Sequence, residues 1–362
     1  MRETPFQLGP LTLPNRLVYA PMTTYASLPD GTLDPKEETY LAARPGWGLM
    51  MTAACFVHPS GKAFPGQWGC ESDDRLPSLK RAADAIRQAG NLSCLQIHHG
   101  GRQAPSRVSG NQPWSASAIP SEREGAETPH AMTEAEIEEV IAAFAAATRR
   151  AHEAGFDSVE IHGANTYLLQ QFVSPHSNRR DDRWGADRLL FSQRIVEACL
   201  AAVPGDFPIG YRFSPEELES PGIRWDDTAA LIDRLCGFPL AFLHVSLGRW
   251  DQGSHHGSFE GPTLKKVAEQ MAGRLPLIGV GSVQRAADVE GGLDLGADLM
   301  AVGRAAITEV RCAEKLIADE PVNLTFPAQD AEARLVLPTG LANRIRNAPG
   351  WFPMEEPDPV RG

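Results

Sequence analysis

Short apolar runs alternate with longer segments of helical periodicity along this chain, and no other feature restricts its fold as strongly. Repeated strand and helix units are typical of a parallel sheet whose strands are joined by crossover helices. About eight such units can be counted, which predicts an α/β fold, a single (β/α)8 TIM barrel that takes in residues 1–362 as one domain. The strands are predicted at Leu17–Pro21, Leu49–Cys55, Ser93–Ile97, Ser158–His162, Ile209–Phe213, Ala241–Ser246, Leu277–Val280 and Leu299–Val302.

The segments between the strands carry apolar residues at the spacing of one helix face. The longest begins after Thr133, and Glu136 three residues later gives the spacing of a capping box. Helices are predicted at Arg75–Ala89, Glu134–Ala154, Arg188–Val203, Thr228–Cys236, Leu264–Met271 and Arg285–Leu295.

Two segments interrupt the repeat. The connection after the third strand, Gly101–Ala131, is far longer than the usual roughly two to six residues, and residues 105–131 are predicted to form a capping loop. Because the loops after the strands build the site of such a barrel, this loop is expected to overhang it. The C-terminal extension, residues 321–362, is predicted to contain a helix at Leu335–Arg346 and to be disordered beyond Pro353.

The charge balance excludes two classes of partner. The chain has 34 Lys and Arg against 46 Asp and Glu, a formal net charge of −12 at pH 7. Nucleic acids are bound by clusters of cations, and the basic clusters here do not exceed pairs such as Arg149-Arg150. We therefore expect neither a nucleic acid nor an anionic membrane surface as a partner.

Targeting segments and metal sites are not predicted either. No apolar run approaches the roughly 18 residues of a membrane-spanning helix, and the N-terminus lacks the uninterrupted apolar core of a signal peptide. The six cysteines share no CxxC spacing, which argues against a zinc or iron–sulfur site. These observations predict a cytoplasmic protein without a bound metal.

Polar residues that could carry chemistry follow several of the predicted strands. In a barrel the carboxyl ends of the strands converge on one mouth, so these side chains are expected to meet. Any one of them alone is more simply a structural hydrogen-bonding residue, whereas their joint placement favours an active site. They are Thr23, Gln96, His98, His99, His162, Asn165 and Arg212.

Two apolar strands near the C-terminus run into glycine at the start of a helix, at Leu277–Ser282 and Leu299–Arg304. Glycine lets backbone N–H groups approach an anion, and a helix N-terminus adds partial positive charge. The loops after strands seven and eight are a frequent phosphate site of this barrel. Together the two segments predict a phosphorylated ligand.

Several long motifs occur in a fixed order along nearly the whole chain. They are NRLV at residues 15–18, APMT at 20–23, LQIHHGGR at 95–102, GFDSVEIHGANTYL at 155–168, QFVSP at 171–175, NRR at 178–180 and VGR at 302–304. On these motifs the chain resembles the Old Yellow Enzyme family of FMN-dependent ene-reductases, which use NAD(P)H as electron donor.

The resemblance implies where FMN would bind. Residues of the first three strands would line the flavin ring, Arg212 would face its N1/O2 edge, and the two glycine segments would hold the phosphate. The FMN-binding residues implied in this way are Ala20, Pro21, Met22, Thr23, Ala54, Gln96, Arg212, Gly281, Ser282, Gly303 and Arg304.

The resemblance also implies a reaction on a small-molecule substrate. His162 and Asn165 would donate hydrogen bonds to a substrate oxygen, hydride from flavin N5 would reach Cβ of an activated alkene, and Tyr167 would protonate Cα. Tyr25 matches an aromatic residue that reaches the substrate in the bacterial branch of the family. The substrates implied are enones, enals, maleimides or nitroalkenes.

Some features depart from the family pattern. Thr166 stands where glycine is usual, and because a β-branched residue resists positive φ, we expect the loop to differ or Tyr167 to be displaced. The segment Arg183–Arg188 is shorter than the family's glycine-rich run, which predicts altered access for the substrate. His98, which precedes the usual His99, is expected to be structural rather than a metal ligand.

Other functions remain open on the sequence alone. The same flavin site could oxidise or demethylate a small metabolite or reduce a nitro compound, and a catalytically silent FMN- or phosphate-binding barrel is a further reading. A lyase barrel for a sugar phosphate would need a Schiff-base lysine, and none of the eight predicted strands ends in Lys. Trp351 and Phe352 in the tail could pack on a neighbouring subunit of a homo-oligomer or on their own barrel.

Overall fold

Eight parallel strands close into a ring in the computed structural model, which describes residues 1–356. The ring closes where the strand Leu17–Tyr19 pairs with Leu299–Val302. The eight predicted strands are confirmed, although the second ends early, at Met51, and Cys55–Phe56 pairs separately beside the third. The barrel strands are Leu17–Tyr19, Leu49–Met51, Leu92–His98, Ser158–Gly163, Ile209–Phe213, Phe242–Val245, Leu277–Val280 and Leu299–Val302.

Helices follow each barrel strand and surround the sheet. The six helices predicted between the strands are present with bounds that differ by at most three residues, and the capping box of Thr133 and Glu136 is formed. Within residues 1–356, none of the helices is both long and apolar enough to cross a bilayer. The helices after the successive strands are Pro35–Ala42, Leu76–Gln88, Glu134–Glu153, Leu168–Val173 with Leu190–Ala201, Trp225–Leu235, Thr263–Met271, Ala286–Asp294, and Arg304–Thr308 with Cys312–Ala318.

The core has an inner layer inside the barrel and an outer layer between the sheet and the helices. The inner layer includes Val18, Leu49 and Ile278, all fully buried. An antiparallel hairpin, Phe6–Leu8 with Leu11–Leu13, adds two leucines to this inner layer. The hairpin is absent from the predicted elements, although Gly9-Pro10 between two short apolar runs is a turn signal.

The long connection after the third strand has structure of its own. It contains a turn of 3-10 helix at Gly101–Gln103, a helix at Ser106–Ser109, and two short paired strands, Trp114–Ser115 and His130–Ala131. The buried Arg102 donates to the carbonyl oxygens of residues 119 and 120 and so ties the loop to its own start. Shorter turns of helix also occur at Pro59–Gly61, Asp73–Arg75 and Arg183–Ala186.

The C-terminal extension packs on the barrel of its own chain. Helices occur at Ala331–Arg334 and Thr339–Arg346, so the predicted helix starts later than expected, after Pro338. Phe352 is buried and forms part of the outer core. Met354 pairs with Phe326, so the prediction of disorder directly after Pro353 is wrong for residues 354–356. Residues 357–362, to which the same prediction applies, lie outside the described residues.

A buried carboxylate connects the helix Pro35–Ala42 to the chain that follows the first strand. Glu37 accepts hydrogen bonds from the hydroxyls of Thr24 and Ser27 and from the indole of Trp68. Burial raises the pKa of Glu37 to about 7 in spite of these donors. Because this helix buries a glutamate on its inner face, its sequence lacks the apolar stripe that would predict it.

We expect the stability of the wild type relative to Glu37→Gln to fall as the pH rises from 4.5 to about 7. A carboxyl group whose pKa is raised on folding takes up a proton as the chain folds in this window, so its contribution is complete below the window and lost above it. The change amounts to about 3 kcal/mol. Urea unfolding at several pH values measures it.

Glu38→Gln, at an exposed carboxylate on the same helix, is the matched control for loss of an acidic side chain. A constant difference in unfolding free energy between the wild type and Glu37→Gln across this pH range would contradict a protonated Glu37.

Candidate active site

A fully buried carboxylate lies at the centre of the polar residues near the barrel mouth. Glu160 accepts a hydrogen bond from Nε2 of Gln96 at 2.7 Å and another from Nδ1 of His244 at 2.7 Å. Burial opposes its ionisation, but His244, the nearby Arg212 and Gln96 outweigh burial and lower the pKa of Glu160. Burial lowers the pKa of His244, although the neighbouring Glu160 opposes this shift.

Arg212 lies in register between His162 on one neighbouring strand and His244 on the other. Its Nη2 donates to Oγ of Ser246 at 3.0 Å, and its buried Nε has no hydrogen-bond partner among the described residues. An unpaired N–H on a buried cation is costly, so Arg212 is suited to an anionic ligand group.

A cavity of about 300 Å³ extends from the end of the first strand to the loops after the seventh and eighth strands. Arg304 joins these two loops by donating to Oγ of Ser282 at 3.0 Å. Gly281 has φ +137°, and a Cβ there would lie 2.7 Å from the backbone of Arg249, so glycine is required. The predicted residues that line this cavity are Ala20, Pro21, Met22, Arg212, Gly281, Ser282, Gly303 and Arg304.

The tail also contributes to the cavity. Trp351, Phe352 and Pro353 line it beside the loop after the eighth strand, and Arg304 contacts the carbonyl oxygen of Trp351. Thr23, Ala54 and Gln96 were expected with the other cofactor residues but are not part of this lining. Gln96 instead lies below it, bonded to Glu160.

Next to the cavity, His162 and Tyr167 form an aromatic cluster with their ring centroids 5.1 Å apart. Burial lowers the pKa of His162 well below its usual value, so its imidazole is neutral. Nδ1 of His162 accepts a hydrogen bond from the backbone N–H of Ala164 at 3.2 Å, which leaves the proton on Nε2. Burial raises the pKa of Tyr167, so the phenol stays protonated at neutral pH.

Asn165 lies on the exposed turn after the fourth strand, with φ +58°. Its Oδ1 accepts a hydrogen bond from Oγ of Ser246 at 3.0 Å, and Ser246 in turn accepts from Arg212. The Oδ1 atom is therefore engaged, and the amide N–H₂ group is the part of Asn165 that can serve a ligand.

Thr166 adopts the positive φ of the glycine it replaces, +63°. The strain is offset by hydrogen bonds at all its polar groups: its N–H donates to Gln170, its carbonyl accepts from Gln171, and its Oγ1 accepts from Gln103, at 2.7 to 2.9 Å. The ring of Tyr167 lies beside that of His162, with the ring centroids 5.1 Å apart.

The structure also shows where the Arg183–Arg188 segment, Tyr25 and His98 lie. Arg183–Ala186 forms a short helix capped by Asp182, and its buried Trp184 packs on the helix Glu134–Glu153 through Glu134. Tyr25 has φ +53°, and its ring lies 5.6 Å from that of Phe64. His98 lies inside the aromatic cluster, 4.3 Å from the ring of Tyr167.

Sequence reasoning missed several residues that hold this site together: Glu160, His244, Ser246, Phe64 and Gln67. Glu160 could have been found, because it precedes His162 by two residues on one strand and so points to the same side of the sheet. Gln67 and Phe64 lie in an irregular connection that offers no periodic signal.

The family model described as NADH:flavin oxidoreductase / NADH oxidase matches residues 4–323. NADH:acrylate oxidoreductase of Vibrio harveyi is 42% identical over 331 residues, 88% of this chain. The chain spans only about a third of that relative, 33% of its length. A probable NADH-dependent flavin oxidoreductase of Bacillus subtilis, YqiG, is 39% identical over 359 residues, which cover 96% of this chain and 95% of the relative.

Among solved structures, an Old Yellow Enzyme homologue from Zymomonas mobilis matches with a TM-score of 0.80 at 25% identity, covering 89% of this chain and 94% of that one. The resemblance inferred from the motifs is therefore confirmed. The chain belongs to the NADH:flavin oxidoreductase / NADH oxidase family.

Proposed function

We propose that this FMN-dependent oxidoreductase uses NAD(P)H to reduce the C=C bond of activated alkenes. The observation that carries the proposal is the contact of a neutral His162 with a protonated Tyr167, together with Asn165, which Ser246 joins to the cavity residue Arg212. Two N–H donors and one O–H acid are what such a reduction requires from a protein. The name of the Vibrio harveyi relative, an acrylate oxidoreductase, supports an alkene as the substrate.

The residues present fit FMN, the cofactor of the family. The buried, unpartnered Nε of Arg212 suits the negative edge of the flavin ring, and the loops at Gly281–Ser282 and Gly303–Arg304 suit a phosphate. Ala20, Pro21 and Met22, which line the cavity, would contact the ring. For Thr23, Ala54 and Gln96, which lie outside this lining, contact with the ring is implied by the family resemblance alone. When bound, FMN accepts two electrons from NAD(P)H and passes them to the alkene carbon Cβ as a hydride from N5.

His162 and Asn165 would bind the oxygen of the activating group. Because Nδ1 of His162 is held by a backbone N–H, its Nε2–H is oriented outward as a donor without gaining charge. Asn165 is oriented by Ser246, which turns the amide nitrogen to the ligand side. Donors fixed in advance stabilise the negative charge that develops on this oxygen as Cβ is reduced.

Tyr167 would protonate Cα, and Tyr25 would contact the substrate. The phenol is held in place by the Thr166 turn and by the ring of His162, so it needs no rearrangement to reach a substrate held by His162. Its raised pKa keeps it in the acid form at neutral pH.

We expect Arg212→Ala to bind FMN at least ~30-fold more weakly than the wild type, because it leaves the flavin's negative edge and Glu160 without their cation. The midpoint potential of the bound flavin should also fall. Arg212→Lys, which retains the charge, should preserve most of both properties. Fluorescence titration of FMN and a dye-equilibrium potential measure them, and an unchanged potential in Arg212→Ala would place the cation away from the flavin.

Phenols that mimic an enolate oxygen should bind the oxidised protein and give a long-wavelength absorption band, with His162 and Asn165 donating to the phenolate. Replacing both residues by Ala removes two hydrogen bonds to a charged group, so the dissociation constant should rise about 100-fold. Titration with p-chlorophenol, followed at the new band, measures it. Undiminished phenol binding would show that His162 and Asn165 do not bind the substrate oxygen.

Tyr167→Phe keeps the ring and removes the acid. Reduction of the flavin by NAD(P)H needs no proton from Tyr167, so its rate should be near that of the wild type, whereas reoxidation by an enone should slow by ~10²–10⁴-fold. Stopped-flow absorbance separates the two half-reactions. Equal enone rates in the variant and the wild type would show that another group supplies the proton.

A further inference from the structure

His98 ends the third barrel strand and is fully buried within the aromatic cluster. Its ring lies 4.3 Å from Tyr167, 5.4 Å from His162 and 6.2 Å from Phe64, measured between centroids. Two of these neighbours are the residues proposed to hold and protonate the substrate. His98 is therefore next to the two residues proposed to act on the substrate, as its position at the end of a barrel strand predicts.

The tautomer of His98 is determined by Gln67. Oε1 of Gln67 accepts a hydrogen bond from the backbone N–H of Ala63 at 2.7 Å, so the other end of this amide must be Nε2. This Nε2 donates to the carbonyl of Ala54 at 3.1 Å and approaches Nδ1 of His98 at 3.0 Å. Nδ1 of His98 must then accept, and its proton resides on Nε2.

That Nε2–H group has no hydrogen-bond partner among the described residues. Burial lowers the pKa of His98 to about 3, so the ring is neutral and carries this single donor. Leaving a buried donor unpaired costs about 1–3 kcal/mol, which a ligand oxygen would recover. Nδ1 faces Gln67, so Nε2 lies on the side of the ring away from it.

We propose that His98 is a third substrate donor and that the site selects alkenes whose activating group carries two acceptor oxygens, as a carboxylate or a nitro group does. The inference rests on the proposed function of the same site. His162 and Asn165 would bind the first oxygen, and Nε2–H of His98 would bind the second. Gln67 is the positioning residue that keeps His98 in the donating tautomer.

The charges near the cluster are compatible with such a group. The charged side chains that act on Tyr167 are Arg123, from the long loop after the third strand, and Arg212. Both are cations, so a carboxylate or a polarised nitro group enters a favourable potential. An aldehyde or ketone has one oxygen and would leave the His98 donor unpaired.

Matched substrates test the proposal in the FMN-loaded protein. β-Nitrostyrene and cinnamaldehyde share a styryl group, acrylate and acrolein share a three-carbon skeleton, and each pair differs in the number of acceptor oxygens. His98→Phe keeps an aromatic ring and removes the donor, so kcat/KM should fall about 10-fold or more for the two-oxygen substrates and less than about 3-fold for the aldehydes. Equal losses within each pair would overturn the proposal.

Binding gives a readout that does not depend on turnover. Benzoate should bind the oxidised protein about 10-fold more weakly in His98→Phe than in the wild type, while p-chlorophenol, with one oxygen, should bind equally. If the wild type reduces none of the four alkenes, the proposed function is wrong. The benzoate affinities of the wild type and His98→Phe would still test whether His98 binds a ligand oxygen. Unchanged benzoate affinity would overturn the role of His98 alone.

The tautomer is tested by ¹⁵N NMR of histidine-labelled protein, with His98→Phe used to assign the signals. We expect His98 to be protonated at Nε2 in the wild type. In Gln67→Glu the carboxylate should accept a hydrogen bond from Nδ1–H of His98, so the proton should move from Nε2 to Nδ1. Benzoate should then bind more weakly, although His98 itself is not substituted. A wild-type His98 protonated at Nδ1 would contradict the proposal.

Discussion

The site depends on one buried carboxylate. Glu160 lies at the centre of the barrel, where an unpaired charge would be strongly destabilising, and so it requires hydrogen bonds from Gln96 and His244 and the nearby charge of Arg212. The same requirement orients these partners. Gln96 is turned by its bond to Glu160, and Arg212 is left with an unpaired N–H group. The arrangement of Gln96, His244 and Arg212 is therefore determined by the charge on Glu160, a group that need not touch the substrate.

The three proposed donors of the site are uncharged. Burial suppresses the charge on His98 and His162 and keeps the proton on Tyr167, so the three groups are donors without being ions. Backbone and amide contacts then decide which nitrogen of each imidazole carries its proton. A fixed neutral donor can stabilise developing negative charge without holding a ground-state anion tightly, which favours turnover over trapping.

Much of the barrel was predictable because strands buried on both faces give continuous apolar runs, and the eight strands follow from them. The helix Pro35–Ala42 escaped prediction because its inner face buries Glu37. The positions of His162, Asn165 and Tyr167 after the fourth strand follow from one continuous motif, and their roles in catalysis stay a prediction. The partners that set their state come from elsewhere in the chain: His244 is 84 residues from Glu160, and Gln67 is 31 residues from His98. Such pairings depend on tertiary packing and cannot be read from a local sequence pattern.

The cavity beside Arg212 is lined from Ala20 near one end of the chain to Pro353 near the other. A nascent chain leaving the ribosome completes the barrel strands before Trp351, Phe352 and Pro353 have emerged. The wall that these residues form is therefore the last part of the pocket to be synthesised. The cavity is consequently completed late in synthesis, after the ring of strands has already been made.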